Sequence, residues 1–437
     1  MRQDLLTDAV TALRDPSIDV RREAAFAVAH IGNAPTALAS AATALLEALA
    51  RERDVLVFAS LAENLGRLPF ADAAAVDRAA AALRTGLDRV SRGGTSAFAT
   101  LGAARGAEAL ARRAAQLQAA SPAVREWLEA LYAGAAPQAG QSRPDPVAAR
   151  VRRLAMSGLI ALDAVNAARG AAALVDPDAQ VRRLGVVALS RLAVLPADTG
   201  VAQLKDPSFL VRHAVASRLG PKVPALATAA LDDVQLNVRL AAIDALGQAA
   251  ACRDACTSRL ERTGRDPTAW HEAAHALVAL ARSSPDAARP FVARVSRASS
   301  PQPWQLRKYA ARAAGITGQV DVLRTLAADP HVNVRHAALA AWRESGQAGV
   351  TDAARDALGS DDGQLLIEAA TALKGAASRA GTVQALRGAL ERLTQARRDT
   401  SRDPRLALIE RIDELDPDRT TTLRRWIKDP DPVSYTH

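Results

Sequence analysis

LRDPSIDVRREAAFAVAHIG (residues 13–32) and LVDPDAQVRRLGVVALSRLA (residues 174–193) are two copies of one phrase. The phrase returns as LKDPSFLVRHAVASRLG from Leu204, LDDVQLNVRLAAIDALG from Leu231 and LAADPHVNVRHAALAAWRESG from Leu326. The shared pattern, L-x-D-P-x-x-x-V-R-x-x-A-A-x-A-L, recurs at intervals of about 30 residues, a period that belongs to arrays of small helical units. Weaker copies near Asp54, Ser121, Val147, Ser300 and Ser360 fill the gaps. The pattern blurs over residues 70–118 and again after residue 376.

Each part of the phrase has a physical reading. Asp before Pro reads as a helix start, because a carboxylate accepts orphan N–H groups and Pro tolerates the first turn. The V-x-x-x-A and A-x-x-A spacings put a thin apolar stripe on one helix face, so that neighbouring helices approach closely. Gly32, Gly220, Gly247 and Gly346 follow the stripe where a left-handed cap is expected. A second apolar segment, such as residues 223–231, comes before the next Asp-Pro. One helical pair of this size cannot bury its apolar face alone, whereas stacked neighbours can. The expected fold is therefore all-α: a right-handed α-solenoid of stacked antiparallel helix pairs. The second helix of each repeat is expected to form its concave contact face.

Composition agrees. Among 437 residues, 49% are hydrophobic and only 3% aromatic, with Ala and Leu dominant, which suits thin close-packed helices rather than strands. The net charge of +9 is carried almost wholly by Arg and by itself says little about partners. Cys252 and Cys256, four apart, form neither a C-x-x-C redox motif nor a zinc knuckle. They read as two small semi-buried side chains, without a disulfide framework, in a chain expected in a reducing compartment, the cytoplasm. MRQDLLTDAVTALRDP at the N-terminus lacks the apolar core of a signal peptide, and no apolar run is long enough for a membrane span. Residues 133–146, AGAAPQAGQSRPDP, have linker composition. They divide an expected set of N-terminal repeats (1–132) from a main array (147–437), as a linker or a long inter-repeat loop. No terminal cap is legible in WIKDPDPVSYTH, which leaves room for a further C-terminal domain.

The D-P-x-x-x-V-R-x-x-A core resembles the HEAT repeat, in particular the short bacterial variety also found in phycobilisome-lyase-like proteins. The resemblance covers most of the chain. It implies that Asp15/Arg21, Asp176/Arg182, Asp206/Arg212, Asp233/Arg239 and Asp329/Arg335 form a structural ladder between neighbouring repeats.

One repeat carries a second pattern. DPTAWHEAAHALVAL (residues 266–280) contains H-E-x-x-H, and WHEAAHALVAL is similar to the zinc helix of ATP-dependent membrane metalloproteases. Aligned with the first repeat, however, His271 falls over Arg22 and Glu272 over Glu23, so the motif is an ordinary repeat helix with histidines at variable positions. The metzincin continuation and the Walker phosphate loop are absent, and no third ligand has motif support. His271, Glu272 and His275 are accordingly expected to hold no metal. The slot of His271 also carries His213 and His336, as in the di-iron HEAT enzyme deoxyhypusine hydroxylase, but Ala214 and Ala337 stand where that resemblance requires Glu. No cofactor and no catalytic residue is expected. Neither a nucleophile elbow nor a dinucleotide glycine loop occurs.

Basic residues concentrate between 282 and 312, where Arg282, Arg289, Arg294, Arg297, Arg307, Lys308 and Arg312 face Asp286 alone. Arg282, Arg289, Arg294 and Arg297 form the candidate contact surface. Nucleic acid is one partner for such a patch, and HEAT-like alkylpurine glycosylases hold DNA, but aromatic stacking platforms are scarce. Trp127, Trp270, Trp304 and Trp342 fall in or at the starts of repeat helices, where packing is the default. The expected function is a non-catalytic scaffold, a monomer that binds a protein partner. PQPWQLRKYAARAAG and the serial D-P-x-x-x-V-R units also resemble the HEAT arms of bacterial cyclophilin-type peptidyl-prolyl isomerases. That resemblance implies the alternative of a binding arm for a larger enzyme.

Overall fold

A computed structural model describes residues 2–92, 94, 96–137, 145–193, 195, 198–263, 267–297, 302–396 and 402–424. Among them every regular element is helical. The chain forms two compact units, Met1–Arg218 and Leu219–His437.

In the first unit the V-R helices Ile18–Gly32, Val55–Gly66, Ala97–Gln116, Pro146–Ala161 and Ala179–Leu189 pack one against the next. A companion helix lies beside each, as with Leu38–Arg51, Ala73–Val90 and Pro122–Gly134. The second unit repeats the plan with Leu236–Gln248, Trp270–Ser283, Trp304–Thr317, Val332–Glu344, Gly363–Ala372 and Arg402–Leu415. Each unit is thus a solenoid-type stack of helix pairs. The reason is the Ala stripe: Ala273, Ala274, Ala310, Ala311, Ala337 and Ala338 are buried between successive V-R helices. Where the stripe tightens further, glycine replaces alanine. A Cβ on Gly106 would lie 2.5 Å from the carbonyl oxygen of Ala62, so no larger residue fits there. The companion helices approach one another less closely than the V-R helices do.

Several local expectations change. The repeat Asp does not begin the helix. Asp15, Asp176, Asp206, Asp233 and Asp329 each accept the N–H two residues on, at 2.7–2.8 Å, and the helix starts after that residue. The cap itself is Ser17, Asp178, Ser208, Gln235 or His331. Asp145-Pro146 follows the expected arrangement, with Asp145 as N-cap and Pro146 in the first turn. Of the four glycines expected in left-handed caps, only Gly346 has a positive φ, 65°. Gly32 and Gly247 instead lie in helices against Ala41 and Ala279.

The residues flanking 133–146 belong to one hydrophobic core, which joins Trp127, Leu128 and Leu131 to Val151, Ala155 and Leu159. The division between compact units falls later, between Arg218 and Leu219, within a π-helical turn at Val215–Leu219. Residues 138–144 of the expected linker, and all of WIKDPDPVSYTH, lie outside the described residues. Cys252 and Cys256 are fully buried and joined as a disulfide, where spacing alone predicts two separate thiols on a helix. Cys252 precedes the helix Arg253–Thr263 instead of lying on it, and the turn brings the two sulfurs together.

Candidate functional site

The V-R arginine has two jobs. Arg21, Arg182, Arg212, Arg239 and Arg335 each donate from Nη1 to the carbonyl of their own repeat's Asp15, Asp176, Asp206, Asp233 and Asp329, at 2.7–3.0 Å. In Arg21, Arg182 and Arg239 the other edge of the guanidinium reaches a carboxylate of the next repeat. Arg152 holds Asp176 through two bonds of 2.8 and 2.9 Å, and Arg182 holds Asp206 at 2.6 and 2.9 Å. Arg307 holds Asp329 at 2.7 and 3.0 Å. In all three the same carboxylate oxygen also accepts the cap residue's N–H, so the turn that starts the next helix is fixed by the preceding one. Where Asp-Pro is missing, Glu52 substitutes, accepting Arg21 and the N–H of Asp54. Asp15, in the first repeat, receives only Ser17 among these bonds.

Burial pushes the Asp206 and Asp329 carboxyls up, but the hydrogen bonds from Arg182 and Arg307, the backbone N–H groups and the nearby positive charge outweigh it. Both stay below the ordinary carboxylate range. Arg152–Asp176 is the most buried rung, with side chains 2% and 4% exposed. Arg152, Arg307 and Glu52 belong with this set, although their repeats lack the full phrase. The legible signal is an Arg in the first two turns of an Ala-striped helix.

The H-E-x-x-H residues are drawn in three directions. His271 stacks on Trp270, with ring centroids 3.7 Å apart. Glu272 accepts Arg239 Nε at 2.8 Å, while Arg259 Nε lies 3.3 Å from its other oxygen. His275 Nδ1 donates to Asp244 at 2.9 Å. Glu272 therefore takes the carboxylate place that Asp takes in neighbouring rungs. A general base would instead have a carboxylate oxygen turned toward a bound water.

The basic stretch does not form one surface. Arg289 pairs with Asp286 at 2.5 Å, and Arg294 sits over the Phe291 ring with a bond to the Leu260 carbonyl; both belong to the companion helix Pro285–Val295. Arg297 is exposed beyond that helix. Of Arg282, Arg289, Arg294 and Arg297, only Arg282 lies on the V-R layer. There it joins Lys308, Arg312 and Arg343, with His336, around an open hollow of about 660 Å³ formed by four successive V-R helices. Arg343 is bound to Glu368 at 2.7 Å. The sequence signal for Lys308 and His336 is the slot after the V-R arginine, whereas Arg282, Arg312 and Arg343 lie further along their helices, so the cluster is read across repeats and not along the chain. Trp127 and Trp342 are buried, and Trp304 stacks on His331 at 4.0 Å.

No described protein family and no curated protein matches the chain. Among solved structures it is similar to an engineered protein, a structural genomics target (OR497), at 19% identity, over 94% of this chain and 98% of that one, with a TM-score of 0.32. It is also similar to Kap121p at 14% identity, over 98% of this chain and 47% of that one, with a TM-score of 0.39. The fold rests on the helix packing described above.

Proposed function

We propose that this chain is a non-catalytic scaffold that binds a protein on the outward face of its V-R helices. The observation that carries this reading is the 660 Å³ hollow, built from four consecutive repeats and lined mainly by side chains that the ladder does not use. A stack whose members are closer on one layer bends toward that layer. The contact face accordingly belongs to the V-R helices and not, as the order of segments suggests, to the companions. The Asp/Arg rungs are structural in this reading: the guanidinium groups of Arg21, Arg152, Arg182, Arg239 and Arg307 are each consumed by a carbonyl and a carboxylate. Service as the arm of a larger enzyme would use the same face. A photocrosslinking residue at Ala340, in the hollow, should capture one protein in stoichiometric yield from extract of the cells that make the chain, whereas one at Asp356, on a companion helix, should not. Equal capture at both positions, or none at Ala340, removes the reading.

A further inference from the structure

The hollow has a charge that nothing among the described residues balances. Lys308 and Arg312 project from Trp304–Thr317, and Arg282 from Trp270–Ser283, onto one face with His336 of Val332–Glu344. Its two carboxylates, Glu344 and Glu368, both lie against Arg343, at 3.7 and 2.7 Å. Arg343 is thereby neutralised. Among the described residues Arg282, Lys308 and Arg312 have no carboxylate partner, and the one contact of this kind that Arg312 makes is with the Tyr309 ring, 5.8 Å away. Between these cations lie the apolar surfaces of Val278 and Ile316, the latter 42% exposed.

Resting on the scaffold reading, we infer that this hollow takes an acidic peptide segment, with carboxylates on Arg282, Lys308 and Arg312 and an apolar side chain on Ile316. The chemistry favours a peptide over a nucleic acid for three reasons. The lining holds no Phe, Tyr or Trp ring on which a base could stack, and its one ring is the imidazole of His336. Ile316 and Val278 offer an apolar seat that a phosphodiester chain does not need. Glu344 and Glu368 close one side and would repel a continuous phosphate backbone, while a peptide can place neutral residues there. Four helices at about 8–10 Å spacing span roughly 25–30 Å, which eight or nine extended residues cover.

The test uses the full chain and a fluorescein-labelled ten-residue peptide of alternating Glu and Leu, followed by anisotropy. Controls are the same peptide with Gln for Glu and a single-stranded oligonucleotide of equal charge. Lys308→Glu and Arg312→Glu lie at the surface, and helical circular dichroism checks that each variant folds. The expected result is binding of the Glu peptide that weakens at least tenfold in the Lys308→Glu/Arg312→Glu double variant and falls steeply with salt, with no binding of the Gln peptide. Glu-peptide binding unchanged by the double variant overturns the inference, as does oligonucleotide binding that is tighter and equally sensitive to it. Crosslinking at Ala340 separates the two readings. A captured protein whose yield ignores the charge reversals leaves the scaffold standing and removes the acidic partner; absence of both capture and peptide binding removes both.

Discussion

The same two-residue step in the two units gives opposite surfaces. In the first unit Arg152-Arg153 face Asp176-Pro177-Asp178 of the next repeat. Arg152 takes Asp176, and Arg153 takes Asp178, with one bond of 2.7 Å. In the second unit Arg307-Lys308 face Asp329-Pro330-His331. Arg307 takes Asp329 in the same way, but the cap is a histidine, and Lys308 is left to the hollow. Two other cations on the first unit's V-R layer are also internally paired, Arg105 with Glu63 at 2.6 Å and Arg112 with Glu108 at 2.5 Å, while Arg183 bonds to Gln180 at 2.8 Å. The ladder position is thus common to both units, while one residue at the cap decides whether the cation beside it is paired. Structure and recognition are written in adjacent residues.

The ladder half of this comparison carries the largest expected effect. Arg152→Ala leaves Asp176 buried without its counter-charge and the Ala135 carbonyl without its donor. Loss of one partner of such a pair costs about 3–5 kcal/mol. Hydrogen exchange should show the loss in the first unit, with the second unit unchanged. Full protection after Arg152→Ala would mean that the rungs carry little. Acid should next soften both units together. Asp178 and Asp206 in one unit, and Asp329 in the other, titrate below the ordinary range: burial opposes this, but arginine and backbone hydrogen bonds prevail. An unfolded Asp titrates near about 3.9, so their stabilisation is complete well above that pH and disappears as pH falls through the lower folded values. Urea midpoints should hold from neutral pH to about 5 and drop toward pH 3 in both units. A drop confined to one unit would break the equivalence of the rungs.

The recognition half turns on His331→Asp. Asp is a good N-cap and should keep the helix start, which His331 now serves by accepting the Asn333 N–H. It would also place a carboxylate beside Lys308 as Asp178 stands beside Arg153. Affinity for the Glu-Leu peptide should fall by a factor of about 3–10, roughly 0.7–1.4 kcal/mol, with thermal stability equal or higher. Unchanged affinity would show that Lys308 takes no part in binding.

How much of this was legible follows the same division. The helices, the Ala stripe and the Asp/Arg rungs are periodic, and periodicity is visible in one chain. Glu52 and Glu272 were hidden because their carboxylates reach the rung from other positions in the repeat. The hollow was hidden for a different reason. Arg282, Lys308 and Arg312 are neighbours across helices, while Arg289 and Arg294, closer to Arg282 in sequence, face other partners on a companion helix. Sequence density of charge is no guide to surface density when consecutive helices belong to different layers. The Cys252–Cys256 pair depended on where the helix begins, and boundaries are set by caps that the repeat Asp does not supply.

The smallest effect concerns helix ends. Pro122–Gly134 aside, several helices close with a left-handed residue that is not glycine, among them Asp163 (φ 54°) in the first unit and Ala250 (φ 56°) in the second. Both sit in the same hydrogen-bonded turn: the next N–H returns to the carbonyl five residues earlier, from Ala164 to Leu159 and from Ala251 to Leu246, at 2.9 Å. An L-residue in this region places its Cβ near the following carbonyl, at roughly 1–2 kcal/mol, and Asp tolerates it better than Ala through local polar contacts. Glycine removes that strain and loses part of the gain to a more flexible unfolded chain. Ala250→Gly should therefore stabilise the second unit by about 0.5–1 kcal/mol, and Asp163→Gly the first unit by less. Thermal unfolding of the two variants, with hydrogen exchange to assign each change to its unit, tests the order. A gain at Asp163 as large as that at Ala250 would show that its side chain makes no compensating contact and that the two turns are equally strained.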